Sequence, residues 1–358
     1  MMSDSPPIED LAPEKKSESD MSWPAVRSTR NPTLEAAVQR RLSDPQEAAQ
    51  ALGHLETLAI RLACIQAEGD TPQLVFDRPQ LVVFAADHGV TDEGVSDAAQ
   101  DATREQALQW LTGKGAASAL AGLHGFDLTL VDAGVASYLT PLPKPTRAPL
   151  LLRKIGFGTR NMLLTQAMSP AQARASLQAG MDVVRHLPGN VLALSGLGVS
   201  GNASAALVLS RLCGVPLADA CGIEAASDPE RAQRKLERLF TAAKRHRKAT
   251  AALDVLAAMG GFEIGMLCGA MIQAASERRI ILVDDFVAAT AALLARELVP
   301  EVADYLIFAH RSVEAGHRLL LIHLQAQPLL DLELRVGQGA GALLAWPMLL
   351  AVQRLLEA

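Results

Sequence analysis

The sequence predicts an α/β protein: a doubly wound parallel sheet with helices on both faces. Three observations lead there. Short apolar runs alternate repeatedly with longer helical stretches, an order that closes through right-handed crossovers into a parallel sheet. The runs are continuously apolar, as strands covered on both faces are. Hydrophobic residues make up 49% of the 358 positions but aromatics only 4%, which suits a core of small aliphatic side chains and not a β-sandwich.

Residues 1–30 mix Ser, Pro, Asp, Glu and Lys with little periodicity and are expected to be a disordered extension. Asn31-Pro32-Thr33 opens a helix through Arg41, and a second runs from Pro45 with Leu52, Leu55, Leu58, Ala59 and Leu62 at helical spacing. Leu81 to Ala85 is a buried strand. It ends in Asp87, His88 and Gly89, at the carboxyl edge where open α/β sheets gather ligands. A helix over 103–110, the turn Gly113-Lys114-Gly115 and an alanine-rich helix to Leu123 follow. Leu128 to Val131 is the next strand, and the proline-rich residues 138–150 read as a surface loop. Ser169-Pro170 is an N-cap with proline at the first helical position.

Val191 to Leu194 is a strand, followed by a loop containing Gly196, Gly198 and Gly201. Asn202 is expected to cap a helix over Ala203 to Leu212. Strand, glycine loop and helix N-terminus together favour a phosphate, because glycines admit backbone N–H groups to the oxygens and the first turn is electropositive. The structural alternative is a tight turn that packs helix on sheet. Asp228-Pro229-Glu230 starts a helix to about Lys248, and Gly260-Gly261-Phe262-Glu263 leads into an apolar helix to Ala275. Strands at Ile280 to Val283, ending in Asp284-Asp285, and at Tyr305 to Phe308 flank an alanine-rich helix. Leu334 to Ala342 is a second glycine loop that enters a helix and presents Gln338.

The net charge of −6 argues against a nucleic-acid partner. The basic run Lys244 to Lys248 ends an amphipathic helix and reads as a solvated face. Cys64, Cys213, Cys221 and Cys268 sit among apolar neighbours and read as buried thiols in a reducing compartment. No apolar leader and no run of membrane-spanning length are recognised, so a cytoplasmic protein is expected. His310, His317 and His323 are seven and six apart, not the three or four of a metal-binding helix face, and read as surface or capping residues. Gly196 to Gly201 is also a literal G-x-G-x-x-G. A dinucleotide site would need a strand ending in an acid near Asp219, and Val215 to Ala218 is a poor strand.

Seven stretches together resemble one family, the nicotinate-nucleotide–dimethylbenzimidazole phosphoribosyltransferases. They are LETLA (55–59), FAADHGVTDEGVS (84–96), GNASAA (201–206), VLAAMGGFEIGMLCGAM (255–271), ILVDDFVAATAAL (281–293), HRSVEAGHRLLLIHL (310–324) and LRVGQGAGALLAWP (334–347). The resemblance implies one catalytic domain over 31–358, with a small helical part from 31–70 and 325–358, and a homodimer. It implies phosphoribosyl transfer from nicotinate mononucleotide to 5,6-dimethylbenzimidazole, with no cofactor and no metal. It places the substrate phosphate at the loop Gly201, Asn202, Ala203 and Ser204, with Lys235 as cation. It lines the base pocket with Gln106, Ala98 and Val336, floors it with Asp87, His88 and Gly89, and counts Gly196, Gly198, Gly337 and Gly339 among the substrate-binding residues. Gln338 stands where the family has its general-base glutamate, and Gly196 where it has a second glutamate. Ser200 is an extra loop residue, and Ala203-Ser204 replaces a Thr-Thr pair. Asp87, His88 and Glu263 are candidate substitutes for the base, as is a solvent proton acceptor, since the cationic azole adduct loses its proton readily. The competing readings are a catalytically impaired paralogue that binds nucleotide or azole, and an NAD-dependent oxidoreductase.

Overall fold

The computed structural model describes residues 21–42, 52–67, 69, 72–96, 98–99, 101–222 and 228–357. A six-stranded sheet lies at the centre. Its strands are β1 (Gln80–Ala86), β2 (Asp127–Gly134), β3 (Leu150–Leu152), β4 (Val191–Leu197), β5 (Ile280–Val283) and β6 (Leu306–Phe308). They pair in the order β3-β2-β1-β4-β5-β6, every pair parallel. The order reverses between β1 and β4, so the crevice above those two strands is the switch point of the sheet. All of β1 is buried, as its unbroken apolar run requires.

One face of the sheet is covered by α10 (Phe262–Ser276), flanked by α5 (Pro170–Arg185) and α11 (Phe286–Leu298). Helix α5 starts as its sequence dictates: Ser169 and Gln172 form a reciprocal capping box ahead of Pro170. Helices α5 and α10 cross almost backbone to backbone. A Cβ on Gly180 would lie 1.9 Å from the Met266 carbonyl oxygen, and one on Gly269 1.9 Å from that of Leu177. On the other side α13 (Ala340–Glu357) packs with α1 (Pro32–Leu42), α2 (His54–Gln66) and α4 (Ala116–His124). Both chain ends therefore build one helical layer. By length and composition α13 could cross a membrane, contrary to the expectation that no such run exists. Half of it is buried inside this fold, where Trp346 packs edge-on to Phe126.

The remaining helices are α3 (Asp101–Leu111), α6 (Gly201–Cys213), α7 (Leu217–Cys221), α8 (Pro229–Arg245), α9 (Ala252–Met259) and α12 (Ala315–His323). A second, two-stranded parallel ladder pairs β7 (His310–Ser312) with β8 (Leu330–Leu334) and delivers the chain to the C-terminal glycine loop.

Several expectations change. Residues 21–30 are placed, not disordered: Trp23 and Val26 pack on the core and the Tyr305 hydroxyl donates to the Arg27 carbonyl at 2.7 Å. Residues 1–20 and the start of the second helix near Pro45 lie outside the described residues. The proline-rich loop ends in edge strand β3. Asn202 does not cap α6. The N-cap is Ser200, at φ +68°, and Asn202 lies in the first turn. His310 and His317 are buried, with the Ser312 amide and hydroxyl both on His317 Nδ1. Cys213 and Cys221 are only half-buried. Leu217 to Cys221 is helical, so the second strand of a dinucleotide site is missing beside Asp219, and the NAD reading falls.

Candidate functional site

The site is built where β1 and β4 part. Gly198 must be glycine, because a Cβ there would sit 2.1 Å from the Ala86 carbonyl oxygen. The loop that follows is tied on both sides. The Val199 amide donates to Thr103 Oγ1 at 3.0 Å, and Thr91 donates to Ser200 Oγ at 2.9 Å. Gly201 N–H returns to Gly198, and Ala203 and Ser204 N–H return to Ser200. Among the described residues, the amides of Ser200 and Asn202 meet no protein acceptor. Two donors at a helix N-terminus are thus left for an anion.

These donors open on a cleft of about 530 Å³, lined also by Ser96, Ala98, Gln106, Ala203, Cys221, Arg231 and Lys235. Arg231 and Lys235 stand one turn apart on α8, facing the loop. Burial pushes the Cys221 thiol up to about 11 even with Lys235 opposing, so it is not a thiolate. A second cleft of about 280 Å³ shares Gln106, Gly198 and Asn202 with the first. It is also lined by Gly196, Asp285, Val287, Ser312, Glu314, Arg335, Val336, Gly337 and Gln338.

Gln338 is held at φ +61°, and its Nε2 donates to Gln106 Oε1 at 3.1 Å. The loop is fixed from below by Asp284, which accepts the amides of Gly339 at 2.8 Å and Ala342 at 2.7 Å. Asp284 thereby caps α13. Asp285 caps α11 through the Ala288 amide and accepts the Gly196 amide at 3.1 Å.

Beneath the phosphate-type loop lies a buried pair, His88 Nε2 to Glu263 Oε1 at 2.7 Å. Burial opposes charging His88, but the Glu263 carboxylate outweighs it and holds His88 above the usual histidine range. Asp87 is raised by burial, partly offset by the Ala136 amide on its Oδ2.

The predicted residues divide accordingly. Ala98, Gln106, Gly198, Asn202, Ala203 and Lys235 line the larger cleft, and Gly196, Val336, Gly337 and Gln338 the smaller. Asp87 and His88 are buried behind the loop, so neither they nor Glu263 line a cleft as a substitute base would. Gly89 packs against residues 159–161. Gly201 is buried, and Ser204 turns its hydroxyl away to the Met259 carbonyl. Gly339 packs on Leu81. Ser96, Arg231, Asp285, Glu314 and Arg335 are cleft residues that motif matching passed over. Arg231 was findable as one turn before Lys235, and Asp285 as an acid ending a strand.

The chain matches the phosphoribosyltransferase family model over residues 28–358. It is 40% identical over 340 residues to the nicotinate-nucleotide–dimethylbenzimidazole phosphoribosyltransferase of Variovorax paradoxus, covering 95% of each chain. It is 43% identical over 319 residues to that of Cupriavidus necator, covering 88% of this chain and 90% of the other. The crystal structure of the Thermus thermophilus protein of the same name superposes with a TM-score of 0.82 at 33% identity, over 92% of this chain and 96% of the other. The chain belongs to the nicotinate-nucleotide–dimethylbenzimidazole phosphoribosyltransferase family. The position at which the resemblance implies a second glutamate, Gly196, has a distinct geometry. A Cβ on Gly196 would lie 2.6 Å from Val287 Cγ1, so this backbone holds no glutamate at 196 unless Val287 moves. The Gly196 amide faces the Asp285 carboxylate instead.

Proposed function

We propose that this chain transfers the 5-phosphoribosyl group of nicotinate mononucleotide to an azole nitrogen of 5,6-dimethylbenzimidazole, giving α-ribazole 5′-phosphate and nicotinate. One observation carries the reading besides family membership: two clefts meet at Gln106, Gly198 and Asn202, one lined by Arg231 and Lys235 and the other by Val336 and Gln338. The amides of Ser200 and Asn202, with Lys235 and Arg231, hold the phosphate as a handle. The ribose C1′ then lies at the junction, and the azole enters against Val336 and Gln338. The leaving group is already a pyridinium and needs no acid. Orientation of the two rings and the phosphate contacts supply most of the catalysis. Gln338 accepts the azole N–H through its amide oxygen and aligns the ring, but an amide does not take the proton. We further read the active form as a homodimer. Exposed Leu152, Tyr138 and Phe157 beside edge strand β3 support an apolar contact, and sedimentation at twice the 37.9 kDa chain mass is the measurement.

The test is direct. Purified protein with nicotinate mononucleotide and dimethylbenzimidazole should yield α-ribazole phosphate, detected by mass spectrometry. Lys235→Ala should weaken nicotinate mononucleotide binding by roughly 10- to 100-fold, the loss of a charge-assisted hydrogen bond worth about 1.5–3 kcal/mol. Binding by calorimetry with no product in any azole tried would refute transferase activity and leave a nucleotide-binding paralogue.

A further inference from the structure

We propose that Asp285 is the general base of this chain, taking the azole proton that Gln338 cannot. The inference rests on the transferase reading above. Asp285 lines the same cleft as Gln338, and its Oδ2 lies 3.8 Å from where a side chain on Gly337, the residue next to Gln338, would begin. Its Oδ2 also accepts the amide of Gly196, the position at which the resemblance implies the second glutamate. A carboxylate is thus brought back to the cleft from another strand end.

The other carboxylates nearby have different partners. Asp284 is fully buried, and its oxygens take the Gly339 and Ala342 amides. Asp87 and Glu263 sit behind the phosphate-type loop. Glu314 also lines the cleft, and the Asn202 side-chain amide donates to it at 3.3 Å.

Asp285 also has a place to keep a proton. Its Oδ2 is 2.5 Å from Ser195 Oγ, which is in turn 3.0 Å from Asp284 Oδ2. One hydroxyl hydrogen cannot serve both carboxylates. With a proton on Asp285, the acid donates to Ser195 Oγ and Ser195 donates to Asp284, so every contact in the chain is satisfied. Burial and the neighbouring Asp284 push Asp285 up to about 7, against the opposing bonds from Ser195, Ala288 and Gly196. A base poised there is matched to neutral pH. The charged and titratable groups around it are Asp284 just after β5, His310 from β7, and Glu314 and Arg335 from the cleft lining.

The step balances without another reactant. The unprotonated azole nitrogen gives its lone pair to C1′ as the C1′–pyridinium bond breaks, that pair returning to the pyridine nitrogen. The remaining azolium N–H passes its proton to Asp285, which releases it to solvent after product leaves.

The experiment is a kcat pH profile with nicotinate mononucleotide affinity measured alongside. Wild type should lose activity on the acid side of about pH 7. Asp285→Asn keeps the α11 cap and should bind nicotinate mononucleotide within about threefold, yet lose about 10²–10⁴ in kcat together with the acid limb. Adding Gln338→Glu to that variant should restore turnover. Ser195→Ala removes the hydroxyl shared by Asp285 and Asp284, so the acid limb should shift, a readout that stands even if Asp285→Asn fails to fold; an unmoved limb overturns the proposal. Asp285→Asn with unchanged kcat and limb overturns the proposal and leaves the transferase reading intact. Loss of the limb in Glu314→Gln but not in Asp285→Asn does the same. Product from Gln338→Glu when wild type makes none overturns both this proposal and the transferase reading of the wild-type chain. No product from any variant overturns both readings.

Discussion

The buried pair of His88 and Glu263 carries structural weight instead of substrate. Both side chains are essentially inaccessible, at 0% and 1% exposure, so each ion depends on the other for its solvation. Glu263 stands in the first turn of α10, where the helix field also favours a carboxylate. Replacing it by glutamine leaves His88 without its counter-charge beneath Gly198 and Gly201. Glu263→Gln should cost about 3–5 kcal/mol in urea unfolding. The pair also sets a pH slope. His88 binds its proton more tightly folded than unfolded, so its contribution is full below the usual histidine range and is lost as pH rises through its raised value. Stability measured upward from neutral pH should fall in wild type and stay flatter in His88→Gln. At this scale the sequence disclosed which residues meet at the sheet edge, but not which way they point. Ser204 looks like a phosphate ligand by motif. Its hydroxyl is taken by Met259, 55 positions away, and no local pattern announces such a partner.

The crossing of α5 and α10 is decided by glycines. Adding a methyl at Gly180 drives a Cβ into the Met266 carbonyl at 1.9 Å, a backbone atom that yields only if a helix moves. Gly180→Ala should therefore destabilise by at least about 1–3 kcal/mol, as overpacked cores do. Gly122, inside α4, meets nothing within 4 Å, and there the same change should stabilise by about 0.4–1 kcal/mol by restricting the unfolded chain. Opposite signs for one substitution in two helices, read from denaturant midpoints, test the packing directly. Elements of this length were legible because an apolar run or an N-cap marks each end, as Ser169 does for α5. Strands β3 and β7 were not, because three residues carry no period, and each is defined by the neighbour it pairs with and not by its own composition.

The molecule brings its clefts together from segments scattered between Gly94 and Gln338, which only the closed sheet and its two helical layers hold in register. The parallel sheet followed from alternation and handedness, but its strand order did not, and the meeting of α8 with the loop after β4 came only through the resemblance that sets Lys235 beside it. An anion bridging that loop and α8 binds the native state alone, so its affinity adds to stability. The chain is acidic overall, at −6, but charge beyond about 8 Å is screened at physiological salt, so the local potential is set by the cleft's own groups, Lys235 and Arg231 against Asp228. At a concentration 100 times its dissociation constant, nicotinate mononucleotide should add about 2.7 kcal/mol to unfolding, a rise of about 3–6 °C in the melting midpoint of a chain this size. Lys235→Ala should remove about half or more of that rise at the same ligand concentration while leaving the ligand-free midpoint nearly unchanged, since Lys235 forms no ion pair among the described residues. An equal rise in both proteins, measured by scanning calorimetry, would place the nucleotide somewhere other than the loop ahead of Asn202.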